Sequence, residues 1–317
     1  MIGYNIGLYG SEVVNAVMVV VAVSLVVTTI ATNRFARQIP PPVEERRRTG
    51  ETILVPVLDE LDGLAEVLRL GQQLAEPAGG LIQPLVPVTS VQTADIAASR
   101  TKRSEVDRVL RELGGDAETL LRVNRSVSAG LNQAAIEIDA SLLLLGWPGP
   151  DDLRTRMIGG TYDEIIAATS VPVAIAALHP DTDQGRIVLY STDRDLAPGN
   201  LPTMTLALEI ATTLSRHRDQ PLIIGPITPP ELNAAGLRTP PTTEHHHGTT
   251  DLDRWASDAT RPGDLLVIPI HDPTIGQSAI RIHHTHRSVL AINHNPETSS
   301  TATASPMNLP IGRTLST

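Results

Sequence analysis

The chain has 317 residues and a formal net charge of −10; 41% of its residues are hydrophobic, yet only 2% are aromatic. That length suits two domains with aliphatic cores, while the acidic balance and scarce aromatics argue against base-stacking or polyphosphate-wrapping surfaces, so no nucleic-acid partner is expected. Cysteine is missing, which excludes a disulfide-stapled scaffold, Cys-ligated zinc, iron–sulfur clusters and thiol catalysis.

The first predicted element is apolar. Val13 to Ile30 reads VVNAVMVVVAVSLVVTTI, eighteen uncharged residues, about 27 Å long as a helix against a hydrocarbon core of about 30 Å. Residues 1–12 hold no Lys or Arg, whereas Arg34, Arg37, Arg46, Arg47 and Arg48 follow the run. That order is the reverse of a cleaved signal peptide, and it places everything after about residue 33 in the cytoplasm. Residues 1–32 are therefore expected to hold one transmembrane helix, spanning 13–30 in the inner (plasma) membrane. A Val-rich helix buried in a soluble core is the competing reading. The run carries no charged residue or His that would mark an ion route. Together with its glycine-rich approach, Gly3 to Gly10, the stretch IGYNIGLYGSEVVNAVMVVVAVSLVVTT resembles the last membrane helix of bacterial cation:proton (sodium/hydrogen-type) antiporters. The resemblance implies that the chain is the tail of a larger transporter, with the remaining membrane domain and the lipid bilayer as partners.

Residues 33–50 form a linker. Pro40, Pro41 and Pro42 stiffen it into an extended spacer, and Arg46 to Arg48 either fix topology or meet anionic headgroups.

From residue 51 strands and helices alternate. Ile53–Val57 reads as a buried strand, Leu61–Leu74 as a helix ended by Pro77 and Gly79-Gly80, and Leu81–Val88 as a second strand. Ser104–Leu113 reads as a helix, Thr119–Val123 as an edge strand, Ala129–Ile138 as a helix and Ser141–Gly146 as a fully buried strand. A helix over Tyr162–Ala168 and a strand over Val171–Ala176 complete the unit, residues 51–180. This alternation predicts an α/β fold with a doubly wound parallel sheet and any ligand at the carboxyl ends of the strands.

The loop after the fourth strand is the richest motif. Gly146 and Gly149 are followed, after nine intervening residues, by Gly159-Gly160-Thr161 opening a helix, whose free N–H groups suit an anion. This spacing, with ILVPV as first strand, SLLLLG before the loop and VPVAI as last strand, resembles the universal stress protein (UspA-like) family over Glu51 to Leu178. The resemblance implies a Rossmann-like fold, ATP or another adenine nucleotide as ligand, and Gly146, Gly149, Gly159, Gly160, Thr161 and Asp59 as a candidate, degenerate nucleotide loop. Two departures stand out. The family's Asp position holds Leu58, with Asp59 one residue later, and Gly160 intervenes before Thr161. A loop kept for packing alone is the rival reading.

The order then recurs over residues 185–295. Ile53 to Ile187 is 134 residues, Ser141 to Asp264 is 123, and Val171 to Ser288 is 117. Similar offsets in the same order predict a second, degenerate universal-stress-like domain that binds no nucleotide, in tandem with the first. The family resemblance further implies pairing, here as a homodimer. Residues 296–317, rich in Ser, Thr and Pro, read as a disordered tail. His245, His246 and His247 fall in a Thr/Pro-rich loop, and His283, His284 and His286 lie between strands. Both groups read as surface histidines, with a metal or proton site as the alternative. No catalytic constellation is evident, so no enzyme is expected. With these features, the two resemblances imply the last membrane helix and cytoplasmic regulatory region of a monovalent cation:proton antiporter that senses a signal, a nucleotide among the candidates; the alternative is a self-contained, membrane-tethered stress or nucleotide sensor without transport activity.

Overall fold

The structure is a computed structural model that describes residues 20–21, 24, 48–58, 63–89, 93–147, 161–271, 282–283 and 287–294. The chain divides into two units, residues 1–47 and 48–317. In the first, Val20, Val21 and Ser24 are helical and exposed; the rest of the expected span lies outside the described residues. Among the described residues no helix is long and apolar enough to cross a membrane.

The second unit carries one ten-stranded sheet. Its first half contains β1 (Thr52–Pro56), α1 (Leu64–Ala75), β2 (Leu81–Val88), α2 (Thr93–Glu112), β3 (Leu120–Val123), α3 (Val127–Glu137), β4 (Leu142–Gly146), α4 (Thr161–Ala168) and β5 (Val173–Ala177). The second contains β6 (Ile187–Ser191), α5 (Leu201–His217), β7 (Leu222–Pro226), α6 (Pro229–Ala234), β8 (Glu244–His245), α7 (Leu252–Ala259), β9 (Leu265–Pro269) and β10 (Ser288–Asn293). The strand order is β3-β2-β1-β4-β5-β10-β9-β6-β7-β8. Read outward from the middle, β5-β4-β1-β2-β3 and β10-β9-β6-β7-β8 are the same order.

All neighbours are parallel except β5 and β10, which run antiparallel with Leu290 opposite Ala176 and Ile292 opposite Ala174. The expected parallel sheet therefore has one antiparallel seam at its centre. Small residues crowd this seam: Ala174, Ala176 and Ala177 are all buried in β5.

Side chains alternate across each strand, and helices cover both faces. Ile53, Val55, Leu142 and Leu144 face α1 and α5, through Val67, Leu68 and Leu74 and through Met204, Ala207, Ile210 and Leu214. Leu54, Leu143 and Leu145 face the other way, toward Leu131 of α3, Ile165 of α4 and Trp255 of α7. Both apolar layers continue into the second half, with Leu189 and Leu290 in one and Val188 and Val289 in the other. Strands buried on both faces explain the unbroken runs ILVPV and SLLLL. Arg218, closing α5, donates to Gln73 of α1 at 3.0 Å and to the Thr182 carbonyl at 2.6 Å, tying the two halves together.

Some expectations change. The second helix begins at Thr93, not Ser104; its early turns are polar, and the Thr101 hydroxyl bonds back to the Ala97 carbonyl at 3.2 Å. Such a segment carries too weak an apolar stripe to read as a helix. The sequence reading also missed α6, capped by Thr228 and Glu231, and the two-residue strand β8. His245 therefore belongs to the sheet edge, where β8 pairs with β7, and is not in a loop.

Candidate functional site at the carboxyl ends of the first-half strands

Beyond β1 the chain turns toward β2, and beyond β4 it turns toward β5, so the crevice between β1 and β4 is the switch point of this sheet. Val57 still bonds in sheet fashion, its N–H donating to the Leu85 carbonyl at 2.8 Å. Leu58 follows, half-buried, and its side chain packs on the apolar layer that holds Leu54, Leu143 and Trp147. The Leu58 carbonyl accepts from the Lys102 ammonium of α2 at 3.0 Å. Lys102 was not singled out by sequence; it sits in the helix segment whose helical pattern was too faint to see.

At β4, Gly146 ends the strand and its carbonyl accepts the Tyr162 hydroxyl at 2.7 Å. Tyr162 is 3% exposed and follows Thr161, the first residue of α4. Gly146 and the start of α4 are thus joined directly. Asp59, Gly149, Gly159 and Gly160 lie outside the described residues. Trp147 is 6% exposed; its N–H donates to the Ala176 carbonyl at 2.9 Å. Its indole N–H has no hydrogen-bond partner among the described residues.

Two histidines border this region. His179 follows β5 and His283 precedes β10, so the antiparallel seam brings them together, and their rings stack with centroids 4.6 Å apart. The His283 ring lies 6.4 Å from that of Trp147. His283 Nδ1 is 3.1 Å from the Arg287 carbonyl, and the His179 N–H donates to Ser288 Oγ at 2.9 Å. Nothing in sequence spacing pairs residues 179 and 283; only the seam does.

The matching crevice of the second half, at the ends of β6 and β9, is built differently. His271 Nε2 lies 2.7 Å from Asp195 Oδ1, with the side chains 11% and 3% exposed. Asp195 Oδ2 accepts the Thr192 N–H at 2.6 Å and the Thr192 hydroxyl at 3.1 Å. The carboxylate is thereby engaged from two sides. Next to it, burial first and then the charges of Asp195 and Asp251 push the Tyr190 phenol from 10.0 to about 12; its hydroxyl donates to the Thr250 carbonyl at 2.5 Å. Among the described residues no three or more His, Asp or Glu side chains are grouped to hold a metal ion.

Residues 51–177 match the Universal stress protein family. Over 234 residues the chain is 24% identical to the Na+/H+ antiporter NhaS5 of Synechocystis, an alignment covering 65% of this chain and 33% of that protein. The chain thus spans about a third of that relative's length. Among solved structures, a universal stress protein from Archaeoglobus fulgidus superposes with a TM-score of 0.52 at 14% identity, covering 80% of this chain and 100% of that one. The cytoplasmic domain of a prokaryotic cation chloride cotransporter superposes with a TM-score of 0.50 at 16% identity, covering 80% and 99%. At such identities these two likenesses concern the fold.

Proposed function

We propose that this chain, whose residues 51–177 form a universal stress protein domain, is the last membrane helix and cytoplasmic regulatory region of a monovalent cation:proton antiporter. The observation that carries this reading is the likeness to the Synechocystis antiporter, which runs over 234 residues and so beyond the family match at 51–177. The shared fold with a cotransporter's cytoplasmic domain supports it. In this reading the helix at 13–30 anchors the chain, the Pro/Arg linker at 33–50 spaces it from the bilayer, and residues 51–180 and 185–295 are tandem universal-stress-like domains. The repeated strand order supports the tandem. Transport carboxylates belong to the remaining membrane domain, and the whole pairs as a homodimer; no catalytic step is assigned to these residues.

An adenine nucleotide is the ligand proposed for the crevice between β1 and β4. Its phosphates would meet the N–H groups at the start of α4, where the helix dipole contributes about 0.3–1 kcal/mol, with the Lys102 ammonium close to the β1 end. Leu58 packs on the core and offers the ribose no charged acceptor, so binding is weak, at best micromolar.

The test is to purify the protein from native membranes with an antibody against residues 51–295. A product longer than 317 residues that exchanges Na+ for protons in proteoliposomes is expected. A product of 317 residues that exchanges nothing overturns the reading. That result would leave a self-contained tethered sensor as the second reading.

A further inference from the structure

The histidine triplet at the β8 edge is built to hold its three rings in different ways. The His246 N–H donates to the Ile224 carbonyl of β7 at 2.9 Å, continuing the sheet pairing one residue past β8. Its ring packs edge-on against Trp255 with centroids 5.9 Å apart. The Trp255 indole, fully buried, donates back to the His246 carbonyl at 3.3 Å. Gly225 permits this approach: a Cβ there would stand 2.1 Å from the His246 oxygen. The middle histidine is therefore pinned inward. In an extended strand its two neighbours share the opposite face, and His245 and His247 do meet there.

Nδ1 of His245 lies 3.1 Å from Nε2 of His247. Two imidazole nitrogens bound 2.0–2.1 Å from one metal ion stand about 3.3–3.4 Å apart at a tetrahedral centre and about 2.9 Å at an octahedral one. The observed separation lies between those values. The other nitrogen of His245 decides its tautomer. Nε2 lies 3.2 Å from the Pro226 carbonyl, and a carbonyl only accepts, so Nε2 carries the proton and Nδ1 presents its lone pair toward His247. A ligating His that donates its second ring N–H to a backbone carbonyl is the arrangement that fixes ring orientation at metal sites.

We infer that His245 and His247 form a two-imidazole chelate for a divalent late transition-metal ion, Zn2+ or Cu2+, with solvent completing the coordination. Imidazole nitrogen suits these ions and not Na+, Mg2+ or Ca2+. Two protein donors make the site exchangeable, since structural zinc sites use four. The inference stands apart from the transport and nucleotide readings, because it rests only on the edge of the second half.

The experiment titrates the full chain with Zn2+ by calorimetry and records the electron paramagnetic resonance spectrum of its Cu2+ complex. One equivalent bound, with superhyperfine structure from two nitrogens, is expected. His245→Gln and His247→Gln should each weaken Zn2+ binding by about tenfold or more, while His179→Gln and His283→Gln leave it unchanged. Circular dichroism reports whether each variant is folded; His247 is exposed, so its variant tests the site even if His245→Gln unfolds β8. Binding of equal strength in wild type and His247→Gln, or loss of binding in the His179 or His283 variants instead, overturns the proposal.

Discussion

Ser141 and Asp264 do the same job in the two halves of the sheet. Each immediately precedes a fully buried strand, and each accepts the backbone N–H at the start of the neighbouring first strand. Ser141 Oγ accepts from Thr52 at 3.2 Å, and Asp264 Oδ1 accepts from Arg186 at 3.0 Å. Asp264 goes further and closes an ion pair with the Arg186 guanidinium at 2.6 Å, its own side chain 4% exposed. The same position thus carries a neutral pin in one half and a charged one in the other. Removing the charged pin takes the acceptor from the Arg186 and Arg261 N–H groups and leaves the partly buried guanidinium with the Ala259 carbonyl at 3.4 Å. Asp264→Ala is expected to cost about 3–5 kcal/mol, and Ser141→Ala about 1 kcal/mol. Urea unfolding of the two variants checks the ranking; equal losses would refute it.

Leu144 gives a second prediction, for the core. It is fully buried in β4 and shares an apolar layer with Val55, Leu68 and Leu74. Leu144→Ala should cost about 2–5 kcal/mol, the usual loss for a truncated core leucine. Leu81, 53% exposed at the start of β2, is the control, and its change to Ala should stay within about 0.5 kcal/mol. Chemical denaturation with matched slopes measures both.

Tyr190 supplies the pH dependence. Its folded value of about 12 lies above the ordinary 10.0, chiefly because burial disfavours the phenolate. The fold therefore favours the neutral phenol. The stability this contributes is fully present below pH 10 and is lost as pH rises through about 12. The absorbance titration at the phenolate band, taken as wild type minus Tyr190→Phe, should show a midpoint near the raised value. A midpoint at the ordinary tyrosine value would show that the ring is hydrated.

For the nucleotide crevice, Leu58→Asp should tighten ATP, ADP or AMP by ten- to a hundredfold, the worth of one charge-assisted hydrogen bond of about 1.5–3 kcal/mol. Gly159→Val should weaken it by crowding the loop. Calorimetry on the purified chain decides. Heats that are absent, or indifferent to the valine, would make the loop a packing element.

Much of this architecture was legible before any coordinates. Strands such as LLLLG, buried on both faces, leave an unbroken apolar signature, and the expected strands of the first half fall within a residue or two of those observed. The offsets between Ile53 and Ile187 and between Ser141 and Asp264 reflect a repeated strand order. What escaped had local patterns overruled by distant partners. Polar Thr93 to Arg103 is helical without an apolar stripe, and Glu244-His245 is a strand because β7 offers it an edge. The meeting of His179 with His283, and of Asp195 with His271, needed the topology. Spacing singles out Gly146 and Thr161, and the Tyr162 hydroxyl at the start of α4 bonds the Gly146 carbonyl, but Lys102 at the Leu58 carbonyl was visible only in three dimensions.

The seam between β5 and β10 changes how the two halves obey mass action. Two separate chains joined along such an edge would part on dilution. Here the partner edge is covalently attached, at an effective concentration of the order of millimolar or above, so dilution does not part the two halves. Covalent linkage also frees the halves from having to be identical. One sequence need no longer satisfy both sides of the seam, and a charged pin, a buried imidazole–carboxylate pair and an edge of histidines can accumulate in the second half alone.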